Sequence, residues 1–258
     1  MKKTHVLSTL LALLSINFIF CQSKVFDNLK MNSEILDMER NYSVYLPPDY
    51  DTSSRSYPVL YLLHGLGDDH TGWVQFGEVK KIADNSILNG DATPMIIIMP
   101  DANTGYVGYI NIPSENWLYE DFFFDELMPH VESKYRIKSD KRFRAISGLS
   151  MGGGGTLIYA LHRPDLFSAA APLSPAIGPT NPKKFIEWIF RNNYNYNYDF
   201  DFLNKDLEAL LNYNHPRILI DNISLDKINS VRWLLTLVMM IISMKIVVYF
   251  ILILVIKE

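Results

Sequence analysis

The pentapeptide Gly148-Leu149-Ser150-Met151-Gly152 has the spacing of a serine held at the tip of a tight strand-to-helix turn. A serine presented that way attacks acyl carbonyls. The context suits it: Phe143 to Ile146 reads as a short strand, and Met151 to His162 reads as a helix. Glycines at Gly148 and Gly152 permit a turn too tight for side chains, which lifts the Ser150 hydroxyl above the end of a sheet. The first amides of the next helix, Met151 foremost, then point N–H groups toward developing negative charge. A second stretch, His64-Gly65-Leu66-Gly67, follows the apolar run Tyr57 to Leu63 and can offer the Leu66 N–H as an opposing donor. Gly65 and Gly67 shape that loop. His64 is expected to brace it rather than act as a general base, because a base must reach Ser150 and the elbow faces elsewhere. The alternative, a glycine-rich turn with an incidental serine, is disfavoured by the strand–turn–helix context.

The elements that must position these groups can be read along the chain. Ser33 to Tyr45 reads as strands, broken at Pro47-Pro48-Asp49. Tyr57 to Leu63 and Met95 to Met99 are compact apolar strands, the second closed by Pro100-Asp101. Asp121 to Tyr135 has helical spacing with acids at its start, as the helix dipole favours, and Phe167 to Leu173 is a further strand. Buried strands alternating with helices predict an α/β fold with a predominantly parallel sheet flanked by helices. Asn192 to Phe202 alternates Asn or Asp with Tyr or Phe. It reads as a solvated insertion, with an aromatic flap over the site as the alternative.

Of the 258 residues, 48% are apolar and 20% charged, which excludes a disordered or collagen-like chain. Residues 22–233 carry 20 Lys and Arg against 27 Asp and Glu, without a basic stripe, so no nucleic acid partner is expected. Cys21 stands alone, so neither an intramolecular disulfide nor a cysteine-based zinc site can form. Lys2 and Lys3 before the apolar run Val6 to Phe20 predict that residues 1–21 are a signal peptide and that the protein is exported, periplasmic or extracellular. Residues 22–233 are then the globular domain. Residues 234–258 form a hydrophobic tail: Leu234 to Ile256 holds one charge, Lys245, and no Gly, Pro, Asp or Asn. By length the tail is a candidate for membrane contact, although Lys245 near its centre is costly.

The segments PVLYLLHGLG, MIIIMPDA, NWLYEDFFFDELMPHVE and above all RFRAISGLSMGGGGTLIYALHRPDLFSAAAPLSP resemble the esterase D branch of the α/β-hydrolases, which includes feruloyl and acetyl xylan esterases and S-formylglutathione hydrolases. The similarity covers about Ser33 to Trp233. It implies an α/β-hydrolase fold and a Ser-Asp-His triad with Ser150 as nucleophile. It also implies Leu66 and Met151 as oxyanion donors, and no metal or organic cofactor. The resemblance places the triad acid and histidine after the later strands, yet no histidine follows Trp233, and Asp221 and Asp226 precede the last recognisable strand, Val231 to Trp233. The fold is therefore expected to lack its last strand and helix.

A shifted reading frame accounts for the tail better than an evolved anchor. Joining the third base of each codon to the next two forces Asp across Met239-Met240 and Met240-Ile241, and Glu across Met244-Lys245. One allowed reading there ends a strand and enters the Gly-x-x-Asp turn that the resemblance implies. The expected function is a secreted serine carboxylesterase acting on feruloyl or acetyl esters of plant polysaccharide, impaired in this chain. The alternatives are a membrane-tethered binding protein on a dead hydrolase scaffold, or an S-formylglutathione hydrolase-like thioesterase.

Overall fold

The structure, a computed structural model, describes residues 22–102, 108–112, 116–185 and 200–235, with the backbone alone over 200–206. Two strands, β1 (Lys24–Ser33) and β2 (Met38–Leu46), form an antiparallel hairpin. Then come β3 (Val59–Leu63), α1 (Val79–Leu88), β4 (Ile96–Pro100) and a small pair, β5 (Asn111–Ile112) with β6 (Trp117–Leu118). Helix α2 comprises Tyr119–Asp121, a π-helical stretch Phe122–Leu127, and Met128–Lys134. It is followed by β7 (Arg144–Leu149), α3 (Met151–His162) and β8 (Ala169–Leu173). After α4 (Phe200–Asn214), α5 (Pro216–Asn222) and α6 (Leu225–Asn229) the described chain closes on β9 (Arg232–Trp233). The main sheet runs β1-β2-β4-β3-β7-β8-β9, antiparallel at its first two joins and parallel from β4 onward.

The strand pattern explains why both faces are covered. All five residues of β3 and all five of β4 are buried. Val59, Tyr61, Leu63, Ile96 and Ile98 face one apolar cluster with Phe123 and Tyr159, while Leu60, Leu62, Ile97 and Met99 face another with Trp73 and Val79. The period of two along a strand divides each apolar run between two cores, which a parallel sheet between helices requires. In α3 every residue from Gly152 to Leu161 is buried, so that helix has no solvent face.

Several boundaries differ from the sequence reading, each for a physical reason. The hairpin begins at Lys24, because β1 is an edge strand with exposed polar positions and a register irregularity between Phe26 and Leu29 that hide its alternation. Pro100 belongs to β4, where it pairs with Tyr42. Strand β7 extends to Leu149, directly before Ser150. In α2 the Met128 N–H reaches back to the Phe123 carbonyl; Pro129, next in line, has no N–H to give, so the ladder changes register before it. The signal-peptide reading and the tail beyond residue 235 lie outside the described residues, as do residues 192–199 of the Asn/Tyr stretch, whose last three open α4. Among the described residues no helix is long and apolar enough to cross a membrane.

Two polar clamps tie the covering helix α2 to its neighbours. Glu132 accepts from Arg144 Nε and Nη2 at 2.6 and 2.7 Å and from Tyr61 Oη at 3.0 Å, joining α2 to β7 and β3. At the far end of α3, His162 places Nδ1 2.6 Å from Glu120 Oε1 and Nε2 2.7 Å from the Tyr213 carbonyl. Both partners are acceptors, so only the imidazolium satisfies them together. Burial alone would lower the His162 pKa, but the hydrogen bond and charge of Glu120 outweigh it and hold it above 6.5. The clamp's contribution is thus complete below pH 6.5 and disappears as pH rises through the elevated folded value. In urea unfolding between pH 5.5 and 8.5, we expect the midpoint of the native chain to fall with pH, and His162→Gln to flatten that slope. An equal slope in both proteins would contradict the assignment.

Candidate active site

The site is built where β7 stops. Ser150 has φ 56° and ψ −110°, a conformation that a side chain other than glycine rarely adopts, and it is held there from three directions. Its N–H donates to the Leu173 carbonyl at 2.9 Å, and its carbonyl accepts from Gly154 N at 2.9 Å and Ala176 N at 2.8 Å. Strand β8 and the loop after it therefore fix the turn. No hydrogen bond joins Ser150 Oγ to any described residue.

The flanking glycines serve contact rather than torsion. A Cβ on Gly148 would sit 2.5 Å from the Gly152 carbonyl oxygen and 2.8 Å from Leu63 Cβ. One on Gly152 would sit 2.5 Å from the Leu63 oxygen and 2.7 Å from that of His64. The start of α3 thus lies directly against the end of β3, which brings the loop after β3 beside Ser150. Within that loop Gly67 has φ +79°, the torsion that selects glycine, whereas a Cβ on Gly65 would make ordinary contact, 3.5 Å from the Leu149 oxygen and 3.9 Å from Ser150 Cβ.

His64 is fully buried and its ring is occupied on both sides. Nδ1 lies 2.8 Å from the Gly65 carbonyl, and Nε2 accepts the Ala102 N–H at 2.8 Å. Burial, outweighing the Gly65 carbonyl and Asp101, lowers its pKa, so the neutral Nδ1–H tautomer fits both bonds. Its backbone N–H donates to Tyr109 Oη at 2.8 Å. His64 connects the ends of β3 and β4 and braces the loop, with no nitrogen left for Ser150.

Leu66, Ser150 and Met151 line one cavity of about 480 Å³. Among the described residues, no acceptor takes the backbone N–H of Leu66 or of Met151. Gly154 and Gly155 let the backbone of α3 form part of the cavity wall; a Cβ on Gly154 would meet the Ala176 oxygen at 2.7 Å and one on Gly155 the Tyr109 Cβ at 2.8 Å. Ile110, Ile158, Ile177 and Phe185 add apolar surface.

Asn214, His215 and Pro216, at the α4–α5 junction, form a further part of the cavity wall. His215-Pro216 is a helix-start signature, a cap followed by proline at the first helical position, and is the sequence signal for that junction. His215 is 2% exposed; its Nε2–H donates to the Gly178 carbonyl at 2.7 Å, and Nδ1 accepts the Arg217 N–H at 3.2 Å. It shares the cavity with Ser150 but has both nitrogens engaged elsewhere. Asn214 Oδ1 is buried without a hydrogen-bond partner. His130 bonds Tyr42 Oη at 3.0 Å, and His70 lies 3.9 Å from Asp101 and from Asp69. The arrangement offers a strained serine and two amides at one apolar cavity, and no described histidine bonded to the serine.

With that geometry in place, the similarities become informative. A family model described as "Putative esterase" matches residues 33–240. An endo-1,4-beta-xylanase/feruloyl esterase of Xylanibacter ruminicola is 35% identical over 144 residues, 52% of this chain and 19% of that protein, so the match spans about a fifth of its length. A solved ferulic acid esterase superposes with a TM-score of 0.68 at 32% identity, covering 84% of this chain and 78% of the other. The S-formylglutathione hydrolase of Staphylococcus aureus superposes with a TM-score of 0.61 at 22% identity, over 83% of this chain and 79% of its own, a likeness of fold. The fold is that of the α/β-hydrolases.

The two glycine positions should separate cleanly in stability. Gly152→Ala is expected to cost about 1–3 kcal/mol, since backbone must move to admit the methyl group. Gly65→Ala, which meets only ordinary contacts, should change the denaturant midpoint little. Equal midpoints for the two variants would show that α3 is not pressed against β3.

Proposed function

The chain belongs to this esterase family, and from that premise we propose that it is an exported serine carboxylesterase of the feruloyl type, acting on hydroxycinnamoyl esters of plant polysaccharide with Ser150 as nucleophile. The observation that carries the reading is the strained Ser150 conformation at the mouth of a cavity shared with Leu66 and Met151. In the proposed reaction Ser150 Oγ attacks the ester carbonyl, the Leu66 and Met151 amides hold the oxyanion, the alcohol leaves, and water releases the acyl group. His64, Gly65, Gly67, Gly148 and Gly152 support the two donor-bearing turns. The cavity's size and apolar walls favour an aromatic acyl group, since an acetyl group would leave most of about 480 Å³ unfilled.

Attack requires that the serine proton go somewhere. The described histidines do not take it, and the 258 residues hold none beyond Trp233. The chain as written is therefore proposed to be a weak catalyst, retaining only what binding and oxyanion donors supply, about 10³–10⁴-fold above water. Expected from p-nitrophenyl ferulate and acetate hydrolysis is a slow rate for the 258-residue chain. Replacing residues 234–258 by the product of the shifted frame should raise it by orders of magnitude, with ferulate preferred. Ser150→Ala should abolish that gain. Fast turnover indifferent to Ser150→Ala would refute the nucleophile, and an acetate preference would refute the acyl class.

A further inference from the structure

The part of the Ser150 cavity wall made by Asn214, His215 and Pro216 depends on a carbonyl that its own chain leaves unsatisfied. Tyr213 lies in the last turn of α4, where backbone carbonyls have no intrahelical donor. Three residues on stands Pro216, which has no N–H, and the N–H of Arg217 is taken by His215 Nδ1 at 3.2 Å. Among the described residues no backbone N–H reaches the Tyr213 oxygen. His162, in the last turn of α3, supplies the bond, with Nε2 2.7 Å from that oxygen. The two side-chain rings also lie against each other, their centres 4.5 Å apart. A positive imidazole at this point suits the C-terminal ends of both α3 and α4.

The bond is conditional on charge. His162 Nδ1 lies 2.6 Å from Oε1 of Glu120, a carboxylate that is itself buried. With both protons in place the ring donates to both acceptors. A neutral ring keeps its single proton on the carboxylate side, where the charge-assisted bond is the stronger. Nε2 then turns a lone pair toward the Tyr213 carbonyl, acceptor against acceptor, and the end of α4 has to move away. The neighbouring groups do not offset this. Burial, with Glu120 and Asp121 nearby, pushes the Tyr213 hydroxyl up to about 12, so it stays neutral. Arg163, next on α3, is paired with Asp165 at 2.9 Å. The charges of α5, Arg217 and Asp221, do not bear on the ring, which faces Glu120 from α2 and Tyr213 from α4.

We propose that His162 is a positioning residue for the Ser150 cavity: doubly protonated, it holds the α4–α5 wall in place through the Tyr213 carbonyl, and on losing a proton it releases that wall. Mildly acidic pH thus keeps the cavity shaped for its occupant, and rising pH loosens it. The consequence for turnover rests on the cavity being the acyl site; the coupling of ring to wall does not. NMR of the full chain tests the coupling without a ligand. Between pH 5.5 and 8.5 the backbone amide signals of Gly178, His215 and Arg217 are expected to shift with the midpoint of the His162 ring, and to stop doing so in His162→Gln. Signals that follow another midpoint, or that still titrate in the variant, would overturn the proposal. A second arm uses 3,4-dimethoxycinnamamide, a hydroxycinnamoyl analogue without a group that titrates in this range. Its Kd should rise roughly threefold to tenfold from pH 5.5 to 8.5 in the native chain, the worth of about one hydrogen bond, and stay level in the variant. By reciprocity its binding should raise the His162 midpoint, a readout that needs no variant. Equal affinity at both pH values in the native chain would also overturn the proposal. Coupled backbone shifts with no binding of the cinnamamide at either pH would support the His162 wall and refute the acyl reading of the cavity.

Discussion

The whole site hangs on a close approach of backbone to backbone. Strand β3 and the first turn of α3 touch where Gly148 and Gly152 have no side chains, and nothing larger fits between the Leu63 carbonyl and the helix. That contact sets the distance between the two turns, one carrying Leu66 and the other carrying Ser150. The strain at Ser150 is then a consequence, because a chain leaving β7 at that depth must reverse within one residue to enter a helix already pressed on the sheet. Its torsion costs on the order of 1–3 kcal/mol, and the bonds to Leu173, Gly154 and Ala176 over-determine it.

The surrounding polar groups maintain this geometry without competing for it. His64 spends both ring nitrogens on backbone, Tyr109 binds the His64 backbone, and Tyr159 Oη donates to the Tyr109 carbonyl at 2.7 Å. Burial pushes the hydroxyls of Tyr109 and Tyr159 well above their ordinary pKa, so they remain neutral donors at any pH where the protein folds. A chain of neutral hydrogen bonds therefore runs from α3 through Tyr109 to the loop that holds Leu66. The loop is rigid by satisfaction of buried groups, and Leu66 itself, 45% exposed, is its outward point.

What the residue pattern reveals and what it hides divide along physical lines. Strands β3 and β4 are legible because a strand buried on both faces must be apolar throughout, and α3 is legible because its limits are marked by Ser150 and by Arg163-Pro164. Ser150, Leu66, Met151 and the bracing role of His64 can be read from sequence since each depends on local chain geometry. Asn214 and Phe185 cannot, since they reach the cavity only through tertiary packing, which no local period encodes. Strand β1 is hidden for a different reason: an edge strand has one side in water, and its Lys, Asp and Asn residues read as loop. The π-helical register of α2 follows from Pro129, visible in sequence but ambiguous between a break and a bulge.

The distribution of imidazoles carries the last step. His64, His162 and His215 each bond two groups, and in each case at least one is a backbone carbonyl or amide. Freeing the His64 ring to serve Ser150 would orphan the buried Ala102 N–H at about 1–3 kcal/mol, before the chain carrying it had moved at all. A structural histidine and a catalytic one make opposite demands: the first is best when both nitrogens are satisfied, the second only when one is left facing the nucleophile. The described histidines that line or border the cavity are of the first kind. The cavity thus has its shape, its strained serine and its free amides independently of any base.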